Sequence, residues 1–181
     1  ETLRTVIYAV LIALVIRTFA YEPFSIPSGS MIPTLLVGDY LFVSKYTYGY
    51  SRFSLPLGLP LFDGRIMAEQ PERGDVAVFK LPNDNSTDYI KRVIGLPGDR
   101  IQVVDGLLHI NGEPVEREKV RETRVGQAAV TVYRETLPNG ASHLIRERGD
   151  DNFFDNTPVY EVPEGHYFMM GDNRDSSQDS R

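Results

Sequence analysis

Two hydrophobic regimes divide the chain. From Thr5 to Ile16 no residue is charged, and apolar character resumes at Thr18-Phe19-Ala20-Tyr21 after the single Arg17. At about 1.5 Å per residue, a helix from Thr5 to Tyr21 would span roughly 25 Å, slightly less than the ~30 Å hydrocarbon core of a bilayer. An arginine near one end can snorkel to the interface. Three roles suit such a segment: a membrane anchor, a buried core helix, or the apolar region of a cleavable leader with Thr18-Phe19-Ala20 as its small-residue cleavage site. A polar run punctuated by glycine and proline begins at Pro27, and cleavage would leave it almost at a new N-terminus, which favours a retained anchor. Arg4 and Arg17 flank the segment about equally, so charge sets no orientation.

Beyond Pro33 the pattern is of short strands separated by turn signals, without helical periodicity. Tyr40 to Val43 and Val76 to Phe79 are apolar runs preceded by Gly38-Asp39 and Gly74-Asp75, turns that feed buried strands. Tyr89 to Ile94 is a third, closed by Gly95-Leu96-Pro97-Gly98-Asp99. Ile101 to Val104 and Leu107 to Ile110 follow, with Asp105-Gly106 between them and Asn111-Gly112 after them. Asp-Gly and Asn-Gly favour two-residue hairpins, where both positions need positive φ, so this region predicts an antiparallel meander. The expected fold is mostly β, an antiparallel sheet domain over residues 22–181 preceded by one transmembrane helix over 1–21.

Two insertions interrupt this framework, at about 46–72 and 117–150. Arg117 to Arg148 is rich in charge and contains a strand-like run Val130 to Leu137, the turn Pro138-Asn139-Gly140 and a second run Ser142 to Arg146. It predicts an exposed hairpin arm. Tyr46 to Phe62 carries four aromatic tyrosine or phenylalanine side chains before Phe62 and four leucines, with only Arg52 charged, and Pro56 and Pro60 bar a long central strand. A loop folded over the core and a lip dipping into a bilayer interface both fit it.

Composition narrows the chemistry. With 181 residues, 41% of them hydrophobic, the chain can bury one sizeable core. The absence of cysteine excludes disulfides, thiol nucleophiles and zinc-cysteine sites. A net charge of −6 argues against nucleic-acid binding, which needs a surplus of Lys and Arg.

Ser30, in Phe24-Ser25-Ile26-Pro27-Ser28-Gly29-Ser30-Met31-Ile32-Pro33, is a candidate nucleophile provided a base can take its proton. His109, His143 and His166 are weak candidates, because no carboxylate stands in an obvious orienting relation to any of them. Lys91 lies in an apolar strand, with Tyr89 and Val93 on its face, and desolvation there would drive down its ordinary pKa of about 10.4. The competing reading is a strand-edge lysine whose head reaches water, and Arg92 on the opposite face suits a strand that tolerates charge. Gly171 to Arg181 is a dense polar segment which, taken alone, predicts a solvated turn.

Together four motifs resemble the bacterial type I signal peptidases, or leader peptidases. They are Pro27-Ser28-Gly29-Ser30-Met31-Ile32-Pro33-Thr34-Leu35, Arg73-Gly74-Asp75-Val76, Asp88 to Asp99, and Gly171-Asp172-Asn173-Arg174-Asp175-Ser176-Ser177 with Asp179 and Arg181. The resemblance covers nearly the whole chain, including the junction Tyr21-Glu22-Pro23-Phe24. It implies Ser30 as nucleophile, Lys91 as general base, Ser28 as an oxyanion-hole hydroxyl beside the Ser30 amide, and Ser177 as the hydroxyl orienting the lysine. It gives Arg92, Asp179 and Arg181 an ion-pair network bracing the site, and Gly171 a close backbone approach. Lysine where eukaryotic and archaeal relatives carry histidine resembles the bacterial, mitochondrial or chloroplast type. Family members continue past the last motif with another strand and begin before the anchor, so the chain is expected to be truncated at both ends.

The activity so implied is removal of signal peptides from exported preproteins, without metal or cofactor. The substrate would bind extended, with small residues at the first and third positions before the cut (−1 and −3) facing Phe24, Ile26, Leu41, Val78, Tyr89 and Ile90. The location implied is the bacterial inner (cytoplasmic) membrane, as a single-pass protein whose catalytic domain lies on the periplasmic or extracytoplasmic side; its partners would be preproteins and the lipid bilayer. A related Ser-Lys processing protease, acting on pilins or mitochondrial-type precursors, and a non-catalytic membrane-tethered β domain remain open. The apolar anchor argues against a self-cleaving repressor.

Overall fold

The structure, a computed structural model, describes residues 1–55, 61–126, 128–149 and 152–181. The chain divides into two compact units, one of Glu1–Ser25 with Asp39–Pro71 and one of Ile26–Gly38 with Glu72–Arg181.

In the first unit α1 (Thr2–Phe19) runs 18 residues and buries none of them. It is therefore not a core helix of this chain, and among the described residues it is the one helix long and apolar enough to cross a membrane. The expected junction is itself a strand, β1 (Tyr21–Ser25), paired antiparallel with β2 (Tyr40–Ser44) from Tyr21 opposite Ser44 to Ser25 opposite Tyr40. Glu22 fixes the turn from helix to strand: Arg17 reaches it at 3.1 Å and Lys45 at 2.9 Å. The Tyr50 hydroxyl donates to the Phe19 carbonyl at 2.7 Å, satisfying an acceptor at the helix end. Between residues 46 and 62 a short 3-10 turn, Arg52–Ser54, is capped by Ser51, and Tyr50 bridges to Ile66. Tyr46, Phe53 and Leu61 are exposed, whereas Tyr48, Tyr50, Leu55 and Phe62 are half-buried. Pro56, Leu57, Leu59 and Pro60 lie outside the described residues.

The second unit holds three antiparallel sheets. β3 (Val76–Lys80) and β12 (Phe168–Met170) flank β4 (Asp88–Gly95). β5 (Arg100–Val104), β6 (Leu107–Ile110) and β7 (Glu113–Pro114) form the expected meander, extended by β11 (Tyr160–Glu161) on the far edge of β5. Its two tight turns have positive φ at both central positions, Asp105 with Gly106 and Asn111 with Gly112, as the mirror-image hairpin turn requires. The core joins these sheets through Ile94, Ile101, Leu108, Ile110, Phe168 and Met170.

The arm differs from expectation in two ways. It is a three-stranded sheet, because β8 (Glu116–Val125) pairs along β9 (Ala128–Thr136), which pairs in turn with β10 (Ser142–Glu147). Charges on both faces of β8 erase the alternation that would reveal a strand in sequence. Nor is the arm wholly exposed: Val130, Val132, Leu137 and Ile145 are buried, and so are Glu135, His143 and Glu147.

Candidate active site

Lys91 occupies the central strand of its sheet, opposite Ala77 on β3, and is only 5% exposed. The strand-edge lysine with its head in water is thus not what forms. Arg92 is buried as well, since both faces of β4 are covered from Lys91 onward. Lys91 Nζ lies 2.8 Å from Ser30 Oγ and donates to the Ile90 carbonyl at 3.0 Å, with the Tyr89 ring centroid 5.2 Å away. Burial pushes the lysine pKa down, and the charges of Asp179 and Asp172 only partly pull it back, so it stays below its usual value.

Ser30 sits in a 3-10 turn, Gly29–Met31, and is 7% exposed. Its turn is stitched to the C-terminal motif: Asn173 donates its backbone N–H to the Ser30 carbonyl at 3.0 Å and its side-chain amide to the Gly29 carbonyl at 2.8 Å. Ser28 Oγ stands 3.5 Å from Ser30 Oγ, at the outer limit of a hydrogen bond. A Cβ on Gly171 would lie 2.2 Å from Ser177 Oγ and 2.6 Å from the Ser30 carbonyl oxygen, so only glycine leaves room for the two to approach.

The C-terminal motif is not the solvated turn that its composition predicts. Asp172, Asn173, Arg174 and Ser177 are all buried, with protein partners replacing water at the Asp172 carboxylate, the Asn173 amide nitrogen and the terminal nitrogens of Arg174. Asn173 Oδ1, Arg174 Nε and the Ser177 hydroxyl have no hydrogen-bond partner of good geometry, and Ser177 does not bond Lys91, although it is near enough to the Asp179 carboxylate to lower its pKa. The ion pairs also differ from one continuous network through Arg92, Asp179 and Arg181. Arg92 forks onto Asp172, at 2.8 Å from Nε and 2.7 Å from Nη2, and donates to the Gly74 carbonyl at 2.7 Å. Thr34 donates to the same carboxylate. Arg181 separately forks onto Asp179, at 2.9 Å from both nitrogens, and Asp179 accepts the Gly171 N–H at 3.0 Å. Burial would raise the Asp179 pKa, but the arginine holds it below the usual carboxylate range.

Among the expected substrate-lining residues, Ile26, Val78, Tyr89 and Ile90 belong to the unit that holds Ser30 and Lys91, with Val78 opposite Ile90 in the β3–β4 ladder. Phe24 and Leu41 face each other in the β1–β2 ladder of the other unit. No histidine hydrogen-bonds Ser30 or Lys91 among the described residues: His109 Nδ1 lies 2.9 Å from the Leu107 carbonyl and His166 Nδ1 3.0 Å from that of Glu164. His143 corrects the expectation that none has a neighbouring carboxylate, since its Nε2 is 3.3 Å from Glu135 and 4.0 Å from Asp172. No cluster of potential metal ligands occurs among the described residues.

Sequence reasoning missed Asp172, Asn173, Arg174, Thr34 and Glu135 as builders of this site. The one available signal for Glu135 is that alternation places it on the same strand face as Leu137, a core residue.

Comparison with known proteins places the chain in a family. The family model described as signal peptidase, peptidase S26, matches residues 1–181. The signal peptidase I of Rickettsia typhi is 47% identical over 184 residues, covering 96% of this chain and 69% of that protein. That of Rickettsia canadensis is 48% identical with the same coverage. Among solved structures, a signal peptidase I from Enterococcus faecalis is 28% identical, with a TM-score of 0.35 over 62% of this chain and 85% of that one. With a family match from end to end and nearly half its residues shared with the rickettsial enzymes, the chain belongs to the signal peptidase family, peptidase S26.

Proposed function

We propose that Ser30 and Lys91 are the nucleophile and general base of a membrane-anchored serine endopeptidase that cleaves signal peptides from preproteins. The observation that carries this reading is the 2.8 Å approach of Lys91 Nζ to Ser30 Oγ in a setting where burial favours the free amine. A neutral Lys91 takes the Ser30 proton as Oγ attacks the scissile carbonyl, forming the acyl-enzyme after the protonated amine returns that proton to the leaving nitrogen. The Ser30 N–H and the Ser28 hydroxyl supply the donors for the oxyanion. Lys91 then activates the water that releases the acyl group.

Ile26, Val78, Tyr89 and Ile90 select small side chains at the −1 and −3 positions of an extended substrate, since larger ones would clash. Ser177 packs against Gly171 and supports Asp179 in this scheme. The exposed apolar α1 anchors the protein in a bacterial cytoplasmic membrane, with the catalytic unit on the extracytoplasmic side where preprotein cleavage sites emerge.

A cleavage assay on a membrane-inserted preprotein tests the reading. The intact protein is expected to release the mature product and Ser30→Ala to release none. Equal cleavage by both would remove Ser30 as nucleophile, and cleavage of pilin-type precursors alone would reassign the substrate.

A further inference from the structure

The charges buried behind the dyad lead out of the catalytic loop into the β8–β10 sheet. Three consecutive residues are tied in three directions. Asp172 is gripped by Arg92, the neighbour of Lys91 on β4. Asn173 holds the carbonyls of Gly29 and Ser30. Arg174 forks onto Glu135 of β9, with Nη1 2.9 Å from Oε2 and Nη2 against Oε1. Glu135 is 1% and Arg174 4% exposed. His143, directly opposite Glu135 in the β9–β10 ladder, lies between the Glu135 and Asp172 carboxylates.

We propose that Glu135 is a positioning residue for the Ser30–Lys91 reaction, fixing residues 172–174 from the inserted sheet through Arg174. The inference rests on the dyad reading above. Stability is a poor reason to keep such a pair, because a buried ion pair can often be exchanged for apolar residues at no loss. Geometry is a better one, since a planar fork on a carboxylate defines both distance and orientation. What it defines here is the segment that holds the Ser30 carbonyl. The Arg174 carbonyl also accepts Arg181 at 2.6 Å, and Arg181 carries Asp179. Asp172 and Asp179 are the two carboxylates whose charge acts on Lys91, so a displaced Arg174 would disturb nucleophile and base together. A misplacement of about 1 Å can cost on the order of 100-fold in rate.

Kinetics on the full chain in detergent micelles test this. Glu135→Gln should lower kcat at least about tenfold with KM within about twofold. It should also move the rising limb of the kcat/KM profile to higher pH, because water admitted near Lys91 relieves the burial that lowers its pKa. The paired exchange Glu135→Met with Arg174→Leu should fold with a Tm at or above the parent and still show the kcat deficit and the shifted limb. Parental kcat and an unshifted profile in either folded variant would overturn the proposal. Failure of the paired variant to fold would overturn it too, by making the pair a requirement of folding. Ser30→Ala assayed alongside separates the two readings: activity in that variant refutes the dyad, whereas full activity confined to the Glu135 variants refutes only this inference.

Discussion

Lys91 is the proposed base, and its behaviour follows from where the ammonium has been put. Burial destabilises the charged form more than Asp179 and Asp172 restore it, so the amine titrates below the usual lysine range. Only the free amine accepts the serine proton, so kcat/KM is expected to rise with pH through that lowered pKa, and a profile flat from acid to alkaline pH would contradict the assignment. Lys91→Arg keeps charge and approximate length but introduces a group that cannot deprotonate at working pH. It should abolish turnover, and activity within tenfold of the parent would eliminate the dyad. Lys91 and Ser30 were legible as types in motifs, but their 2.8 Å meeting joins positions 61 residues apart, which no local pattern encodes.

At the scale of elements, the stretch from Tyr46 to Phe62 and the strand β4 show opposite treatments of apolar sequence. β4 is sandwiched between β3 and β12 and buries even Lys91 and Arg92. Tyr46, Phe53 and Leu61 instead stay exposed, in the unit that also contains α1. Exposed aromatic and leucine side chains concentrated in one segment suit a lipid interface. Replacing all three with serine should weaken binding of a chain lacking residues 1–20 to lipid vesicles, while cleavage of a short soluble peptide stays close to the parent. Vesicle binding equal to the parent, measured by co-sedimentation, would leave these side chains without an interfacial role.

For the whole molecule, buried carboxylates make stability depend on pH in two opposed ways. Glu135 is held at a pKa of about 2: burial would raise it, but Arg174 and His143 outweigh that. Its folded pKa lies below the unfolded value of 4.5, so its stabilisation is present above that value and is lost as pH falls toward 2. Glu147 is pushed up to about 7 by burial, despite Arg117 at 2.6 Å. Its folded pKa is raised, so its contribution is full below 4.5 and lost as pH rises through 7. Each shift corresponds to roughly 3 kcal/mol, enough to matter against a typical domain stability of about 5–15 kcal/mol. Denaturant midpoints in micelles should therefore fall on both sides of about pH 4.5 from these two groups. Glu147→Gln should flatten the limb between pH 5 and 8 and leave the acid limb in place; an unchanged upper limb would show that Glu147 is not its source.

The sequence by itself determined the apolar helix, the strands β2 to β6, the two positive-φ hairpin turns and the motif residues of the dyad. These depend on short-range properties: side-chain periodicity, the steric freedom of Asp-Gly and Asn-Gly, and a spacing of residue types. Tertiary structure decided which charges are buried and with whom. Asp172, Asn173 and Arg174 look like surface turn residues until Arg92, Ser30 and Glu135 arrive from three distant segments to replace their water. β8 likewise becomes a strand only because β9 supplies its hydrogen bonds, since its own side chains carry no alternation. A polar residue's place depends on long-range partners that satisfy it, and that pairing is a property of the folded chain.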